Sequence, residues 1–554
     1  MTELLADPRY TLDHGAASAP WCSDSVSALR NRLRTQDPSY KVVIDHTRTV
    51  RATLVDTFDW RVLASGRLAI LLEAGRDTRN HAKEGPRLEM MDYAYQQTRH
   101  EKESAPNGHG VERSLPVPTP IAPEAASQRD VAELSCSVAP RVLLRMGFGE
   151  VSFRRGRVLN GTGKTVAILD EVTLDGPGDS DDRHRPLRFL LLRPLRGYRR
   201  YVASIPRGIP VGMEGVIDAL AARADRRPFD FDTRLDLPIR RDDDPEAAHR
   251  HIVSRLVGTM ATVRPGLGLG ADPEFLHDYR VAIRRLRSYL KESGLGSLPA
   301  AAPAHGVWYA VDRIDAVWQA TGAARDLDVF LLRRDHYLRA APAPLRHEVE
   351  HLFRDISRSR EKRYNAMFAL LPGNYEIDLE EELLARGPAS RYGAVSGKSN
   401  TEPGAPDGAR ADGERLDLRA TRWVRRREKK FLKLVARLQN AYVAAGTELE
   451  DEKIHAARKA AKKYRYLHEI FSSVLDESEH APKRVKRLRK LQNLLGTYND
   501  LVLEEARFHE ILKRRSEESS GDVRAATAYM LAQVEREKGI AREKVLTELA
   551  REVR

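Results

Sequence analysis

Two cysteines, Cys22 and Cys136, are all that 554 residues contain, so no disulfide framework is implied and a reducing compartment suits the chain. Nowhere is there a run of about 18 apolar residues of the kind a membrane-spanning helix needs. The opening MTELLADPRYTLDHG has no charged-then-apolar signal layout either. A cytoplasmic, unanchored protein is the expectation. Acids are missing from two particular stretches: Asp278 is the sole one between His277 and Lys291, and Lys453 to Arg465 has none.

Positive charge is what the chain has in excess. Lys and Arg number 93 against 80 Asp and Glu, a formal charge of +13, which favours acidic partners and says nothing about fold. The length calls for more than one domain. Residues 1–25 lack periodicity and read as a loose terminus. Over 26–230, a serine-capped helix at Ser23 to Leu33 leads into β-like segments at Lys41 to Trp60 and Val62 to Gly75. The stretch 101–127 is rich in Pro, Gly and Ser and reads as a loop. VSFRRGRVL, TVAILDEVTL and LRFLLLRPL are three further strand candidates, the first two joined by a hairpin signal from Asn160 to Gly163. GMEGVIDALAARAD predicts a closing helix. This half is predicted as α+β with a largely antiparallel sheet.

From Asp242 the texture changes to long amphipathic helices, predicting an all-α domain over 242–554. Two helical sets, 242–386 and 416–554, flank a low-hydrophobicity segment, 387–415, expected to be disordered. At about 100° per residue, His277, Arg280, Arg284, Arg287 and Lys291 fall within roughly 80° of one another on a helix. Ala282, Ile283, Leu286, Tyr289 and Leu290 form the opposite, apolar face. The pattern recurs at His455, Arg458, Lys462, Lys463 and Arg465, at the same offsets as His277, Arg280, Arg284, Arg285 and Arg287. GAARDLDVF and GTYNDLVLE follow the two copies, with Asp326 answering Asp500. An internal duplication is the simplest account, and a pseudo-two-fold between its halves would bring the two basic faces together.

Two resemblances follow. Leu54 to Glu73 with Gly163 to Leu174 resembles the CYTH family, whose members fold as a barrel, the triphosphate tunnel, lined with Arg, Lys and Glu. Its enzymes open on an E-x-E-x-K strand, and residues 1–50 hold no such strand. The nearest segment, Tyr40 to His46, lacks the paired glutamates that Mg²⁺ or Mn²⁺ would need. The doubled H-x2-R-x3-[RK]-[RK]-x-R, with the R-D-L-D and N-D-L motifs after it, resembles the CHAD family, the conserved histidine α-helical domain, over about residues 242–554. That resemblance implies a helical bundle with a basic groove, binding of inorganic polyphosphate and association with polyphosphate granules.

A basic stripe on its own is commonly a solvated surface. Here it is doubled, neither copy has carboxylates assigned at i±4, and PKRVKRLRK sets Lys483, Lys486, Arg487 and Lys490 on one further face. Concentrated like charge favours a bound anion. Polyphosphate needs many Lys and Arg donors and no stacking platform, whereas single-stranded nucleic acid calls for exposed aromatics. Tyr289 and Tyr464 belong to the apolar face, leaving Tyr466 near the stripe, so nucleic acid is disfavoured. His277 and His455 read either as helix-end residues bonded locally or as phosphate contacts; a metal or acid–base role is a poor fit among cations. Asp326, Asp328 and Asp500 read as carboxylates that orient arginines. Arg61, Arg67, Arg154, Arg155, Arg157 and Arg188 would line a tunnel if the barrel closes. The expectation is a polyphosphate-binding protein needing no cofactor, with a metal-dependent triphosphatase and a nucleic-acid-binding module as alternatives.

Overall fold

The computed structural model describes residues 29–31, 33–34, 38–65, 67–74, 87–92, 138–174, 187–198, 231, 235, 237–270, 272–293, 307–385, 415–445, 451–475, 481–514 and 521–552. The loose terminus, the 101–127 loop, the helix sought near residue 226 and most of the 387–415 linker lie outside them. Among the described residues the chain divides into two compact units, the first up to Phe231 and the second from Leu235.

The first unit is built on six antiparallel strands, β1 (Lys41–Asp56), β2 (Arg67–Ala74), β3 (Arg87–Asp92), β4 (Leu144–Leu159), β5 (Thr165–Leu174) and β6 (Leu187–Pro194), in the order β3-β2-β1-β4-β5-β6. Alternation and cross-strand register explain the buried face: Val42, Val158, Ala167 and Leu169 pack with Leu29 and Leu33 of the preceding helical turn, and Val166 joins them at the register shift of the β4–β5 pair. The β4–β5 hairpin forms where the sequence signals it. The Asn160 side chain accepts from the backbone N–H groups of Thr162 (3.1 Å) and Lys164 (2.9 Å), and Gly163 takes the left-handed φ of 75°. A one-turn helix, α1 (Arg61–Ala64), interrupts the predicted Val62 to Gly75 strand because the buried Asp56 carboxylate accepts from Val62 N (2.8 Å) and Leu63 N (2.9 Å). Among the described residues no pairing joins β3 to β6, so the sheet is open and the expected barrel is not formed there. Closure needs edge strands paired along their length, and these have only six and eight residues against sixteen in β1 and β4.

The second unit is helical: α2 (Pro245–Leu269), α3 (Pro273–Glu292), α4 (Val307–Leu332), α5 (Arg334–Ala340), α6 (Arg346–Phe368), α7 (Tyr375–Leu384), α8 (Leu416–Ala445), α9 (Asp451–Ile470), α10 (Ala481–Arg514) and α11 (Gly521–Glu552). Asp244 and Asp272 cap α2 and α3, each followed by a proline at the first helical position, and Gly270 ends α2 in the left-handed conformation. Gly266 is required where α2 crosses α3, since a methyl group there would collide with the Phe275 ring. Where α2 packs on α3, Ile252, Val253, Leu256 and Met260 of the first and Phe275, Tyr279, Ile283 and Leu286 of the second are buried in the core. The second set repeats the plan: α8 packs on α9, α9 on α10 and α10 on α11, as α2 does on α3 and α3 on α4. Equivalent helices also meet each other, α3 against α9 and α4 against α10, which is the self-matching contact a two-fold relation produces. No described helix is long and apolar enough to cross a membrane.

Candidate anion-binding cluster

The α3 face opposite the core carries the first stripe. Tyr289 and Leu290 are buried as predicted, while Arg280, Arg284 and Arg287 are half-buried and Lys291 is exposed. The three arginines surround one ring, Trp318 of α4, with guanidinium carbons 4.0, 6.0 and 5.1 Å from its centroid. Arg280 donates to Thr321 Oγ1 (2.8 Å) and to the Trp318 carbonyl (3.0 Å); Arg287 donates to Asp315 (2.6 Å). Sequence reasoning missed Trp318, Thr321 and Asp315 because they lie on α4, 28 to 41 residues from the arginines they meet. Trp318 sits four residues before the GAARDLDVF motif, which is the signal that could have found it.

The second stripe, on α9, faces the first. Lys462 lies among Arg284, Arg458 and Arg465, with Asp500 as the nearby acid. Burial, with Arg284 and Arg458 adding to it, pushes its ammonium down to about 6. Arg280 is pushed down to about 9 by burial and then by Arg284; Arg284 and Arg458 move in the same direction, burial again leading. The Nε–H groups of both Arg284 and Arg458 are buried without an acceptor. Each such orphan costs about 1–3 kcal/mol unless something accepts from it. The arrangement is therefore a set of preassembled donors whose charges repel, geometry that one anion could satisfy.

The carboxylates hold the rim of this cluster. Asp326 and Asp500, equivalent in the two repeats, face one another; burial raises both, against the pull of Arg280, Arg507 and Arg458 on the first and of Arg458 and Lys462 on the second. Asp500 lies 3.8 Å from Arg458. Asp328 is buried and structural, accepting from Arg360 (2.5 Å) and Tyr364 (2.7 Å). Arg325, a further cation of the region, donates to the Pro273 carbonyl (2.8 Å) and so fixes α4 to the start of α3.

Not every predicted binding residue joins the cluster. Arg285 is spent on Glu469 (2.9 Å), a pair that ties α3 to α9. Glu469 is also 3.3 Å from Arg465, at i+4, so the second stripe does have a neutralising carboxylate one turn beyond the motif. Lys463 is turned to other cations, Lys291, Arg427, Lys430 and Arg287, and with burial leading they push it down to about 8. Lys490 pairs with Glu548 (2.8 Å). Lys483, Lys486 and Arg487 lie on α10, with side chains outside the described residues. His455 bonds Asn499 (2.5 Å) and is pushed below its usual range, first by burial; it is a locally anchored helix-end residue. His277 is half-buried at the corresponding place on α3. Tyr464 is core, and Tyr466 is buried too, its ring 5.7 Å from Arg284 and 5.2 Å from Arg465.

Outside the cluster, Glu505, His509 and Glu535 bring possible metal-ligand atoms within 4.8 Å of one another. Glu505 already accepts from the Lys538 ammonium (2.5 Å), which supplies the cation there. In the sheet unit three of the tunnel arginines are paired, and the side chain of Arg188 lies outside the described residues. Arg154 pairs with Glu171 (2.8 Å) and Arg157 with Asp45 (2.8 Å), and Arg61 pairs with Asp59 (2.9 Å).

A sequence model of the CHAD domain matches residues 251–509. Among solved structures the chain is similar to the crystal structure of the CHAD domain from the plant Ricinus communis, at 23% identity over 57% of this chain and 95% of that one, with a TM-score of 0.44. It is also similar to PptA from Streptomyces chartreusis, at 12% identity over 55% of this chain and 99% of that one, with a TM-score of 0.38. No curated protein matches the sequence. The doubled histidine and arginine motif, carried on α3 and α9, lies inside the matched stretch, and the helical half of this chain contains a CHAD domain.

Proposed function

We propose that the helical unit captures inorganic polyphosphate at the α3–α9 cluster and holds the protein on polyphosphate granules in the cytoplasm. The observation that carries this reading is the pair of buried, acceptorless Nε–H groups of Arg284 and Arg458 beside the depressed Lys462. A string of phosphate oxyanions supplies acceptors to the first two and restores the charge of the third. Nucleic acid is the weaker reading, because the half-buried Trp318 ring is already shared by three guanidiniums, with which a stacking base would have to compete. The decisive experiment is a competition titration: long-chain polyphosphate is expected to bind with steep salt dependence and to be displaced poorly by RNA or DNA. Equal displacement by nucleic acid would overturn the assignment.

The sheet unit reads as a CYTH-like relic. The Mg²⁺ that family enzymes use does not fit the described residues: the Asp45 and Glu171 carboxylates are engaged by Arg157 and Arg154. No phosphate release from tripolyphosphate is expected from the full chain with Mg²⁺ or Mn²⁺.

A further inference from the structure

The cluster does not end the positive charge. On α8, Arg426, Lys429, Lys430, Lys433 and Arg437 recur at helical spacing, all five are exposed, and with Leu434 they line one surface recess of about 420 Å³. The stripe spans about 16 Å at 1.5 Å per residue. None of the five forms an ion pair with a described residue. The helix's own acids are engaged elsewhere: Asp417 pairs with Arg415 (3.1 Å), and Glu428 accepts from the buried Tyr464 hydroxyl (3.2 Å). A helix face with five cations and no counter-charge is unusual for a merely solvated surface, where alternating signs relieve repulsion.

Geometry joins this face to the cluster. Glu292, the last residue of α3, pairs with Arg427, which lies beside Arg426 and one turn from Lys430. Core contacts hold the inner side of α8 in place, Trp423 against Tyr289 of α3 at 6.5 Å and Phe431 stacked on Tyr464 of α9 at 6.3 Å, which leaves its cationic face outward. The ends of the cationic faces of α3, α9 and α8 thus converge at Lys291, Lys463 and Lys430. Lys463 of α9, depressed first by burial and then by Lys291 and Arg287 of α3 and Arg427 and Lys430 of α8, marks the junction.

We infer that the exposed face of α8 is a second anion track continuing the cluster, so that a long polyphosphate chain occupies both and a short one is held by the cluster alone. This rests on the polyphosphate reading of the cluster. Phosphates beyond the cluster bind the α8 track intramolecularly at high effective concentration, and each neutralised phosphate adds its share of counterion release.

The test uses the full chain with Arg426→Gln, Lys429→Gln, Lys433→Gln and Arg437→Gln together, exposed positions where glutamine keeps helix propensity and circular dichroism checks the fold. Wild type and this variant are titrated with tripolyphosphate and with long-chain polyphosphate, beside a cluster variant, Arg284→Gln with Lys462→Gln. The α8 variant is expected to lose about 10- to 100-fold in long-chain affinity near physiological salt and about 3 in the salt slope, with tripolyphosphate binding unchanged. Wild-type long-chain affinity in the α8 variant overturns the track and leaves the cluster standing. Equal loss for both ligands also overturns it, since the face would then not be separate. Unchanged binding in the cluster variant overturns the cluster itself. If RNA binds wild type tightly and the α8 variant weakly while long polyphosphate binds both alike, the face serves nucleic acid and the inference falls.

Discussion

Arginines do opposite work in the two units. In the sheet, Arg154 and Arg157 each meet a carboxylate on a neighbouring strand at 2.8 Å, so their charge is cancelled at home. Between α3 and α9, Arg284 and Arg458 have buried Nε–H groups with no acceptor, and Lys462 beside them is held far below its ordinary range. Charge content alone does not separate these cases. What separates them is whether the fold brings a carboxylate into register, which a cross-strand pair does readily and two cationic helix faces packed on each other do not.

The largest effect should come from removing the unpaired charges. Arg284→Gln with Lys462→Gln is expected to weaken long-chain polyphosphate binding by about 100-fold or more, the scale of two desolvated charge-assisted contacts at about 1.5–3 kcal/mol each. The same variant should melt higher than wild type without ligand, because repulsion between buried like charges is relieved; each kcal/mol gained raises Tm by roughly 2–4 °C at this domain size. A lower melting temperature would show the cluster to be structural.

A smaller effect is pH dependence. Lys462 is faced by Arg284 of α3, Arg458 and Arg465 of α9 and Asp500 of α10. Its folded pKa, about 6, lies below the ordinary 10.5, so between these values the unfolded chain holds more protons and unliganded stability rises with pH. Binding has the opposite sign: polyanion favours the protonated amine, protons are taken up, and affinity should weaken as pH climbs from 6 to 8. Lys463, at about 8, adds to the upper part of that range. Calorimetry in buffers of different ionisation enthalpy measures the uptake, and Lys462→Arg should flatten the profile. An affinity that grows with pH would contradict the site.

The smallest effect tests the sheet side. Glu171→Gln leaves the half-exposed Arg154 without its partner and should cost about 1 kcal/mol of stability in the first unit, read by denaturant unfolding, while polyphosphate affinity stays at the wild-type value. Altered affinity would mean that the sheet's cations take part in binding.

Much of the helical half was legible before the structure. Helical period and the repeated motif placed α3 and α9, the apolar face put Tyr289 and Tyr464 in the core, and the Asn160 signal gave the β4–β5 hairpin, since all of these depend on neighbours within a few turns. Partners distant in sequence were not legible: Glu469 claiming Arg285 across 184 residues, Trp318 gathering three arginines, and the short strand β3. The α8 stripe was visible as letters, but its junction with α3 through Glu292 and Arg427 was not.

By itself, then, the sequence determined that two equivalent helices carry cationic faces, because helical period and duplication are local and repeated properties. Only the tertiary structure decided which of those cations stay unneutralised, because neutralisation depends on carboxylates brought within about 4 Å by packing. It drew Arg285 and Lys490 into ion pairs and set Arg465 beside Glu469. Arg284 and Lys462 it left without a paired carboxylate among the described residues, facing Arg458, which Asp500 reaches only at 3.8 Å.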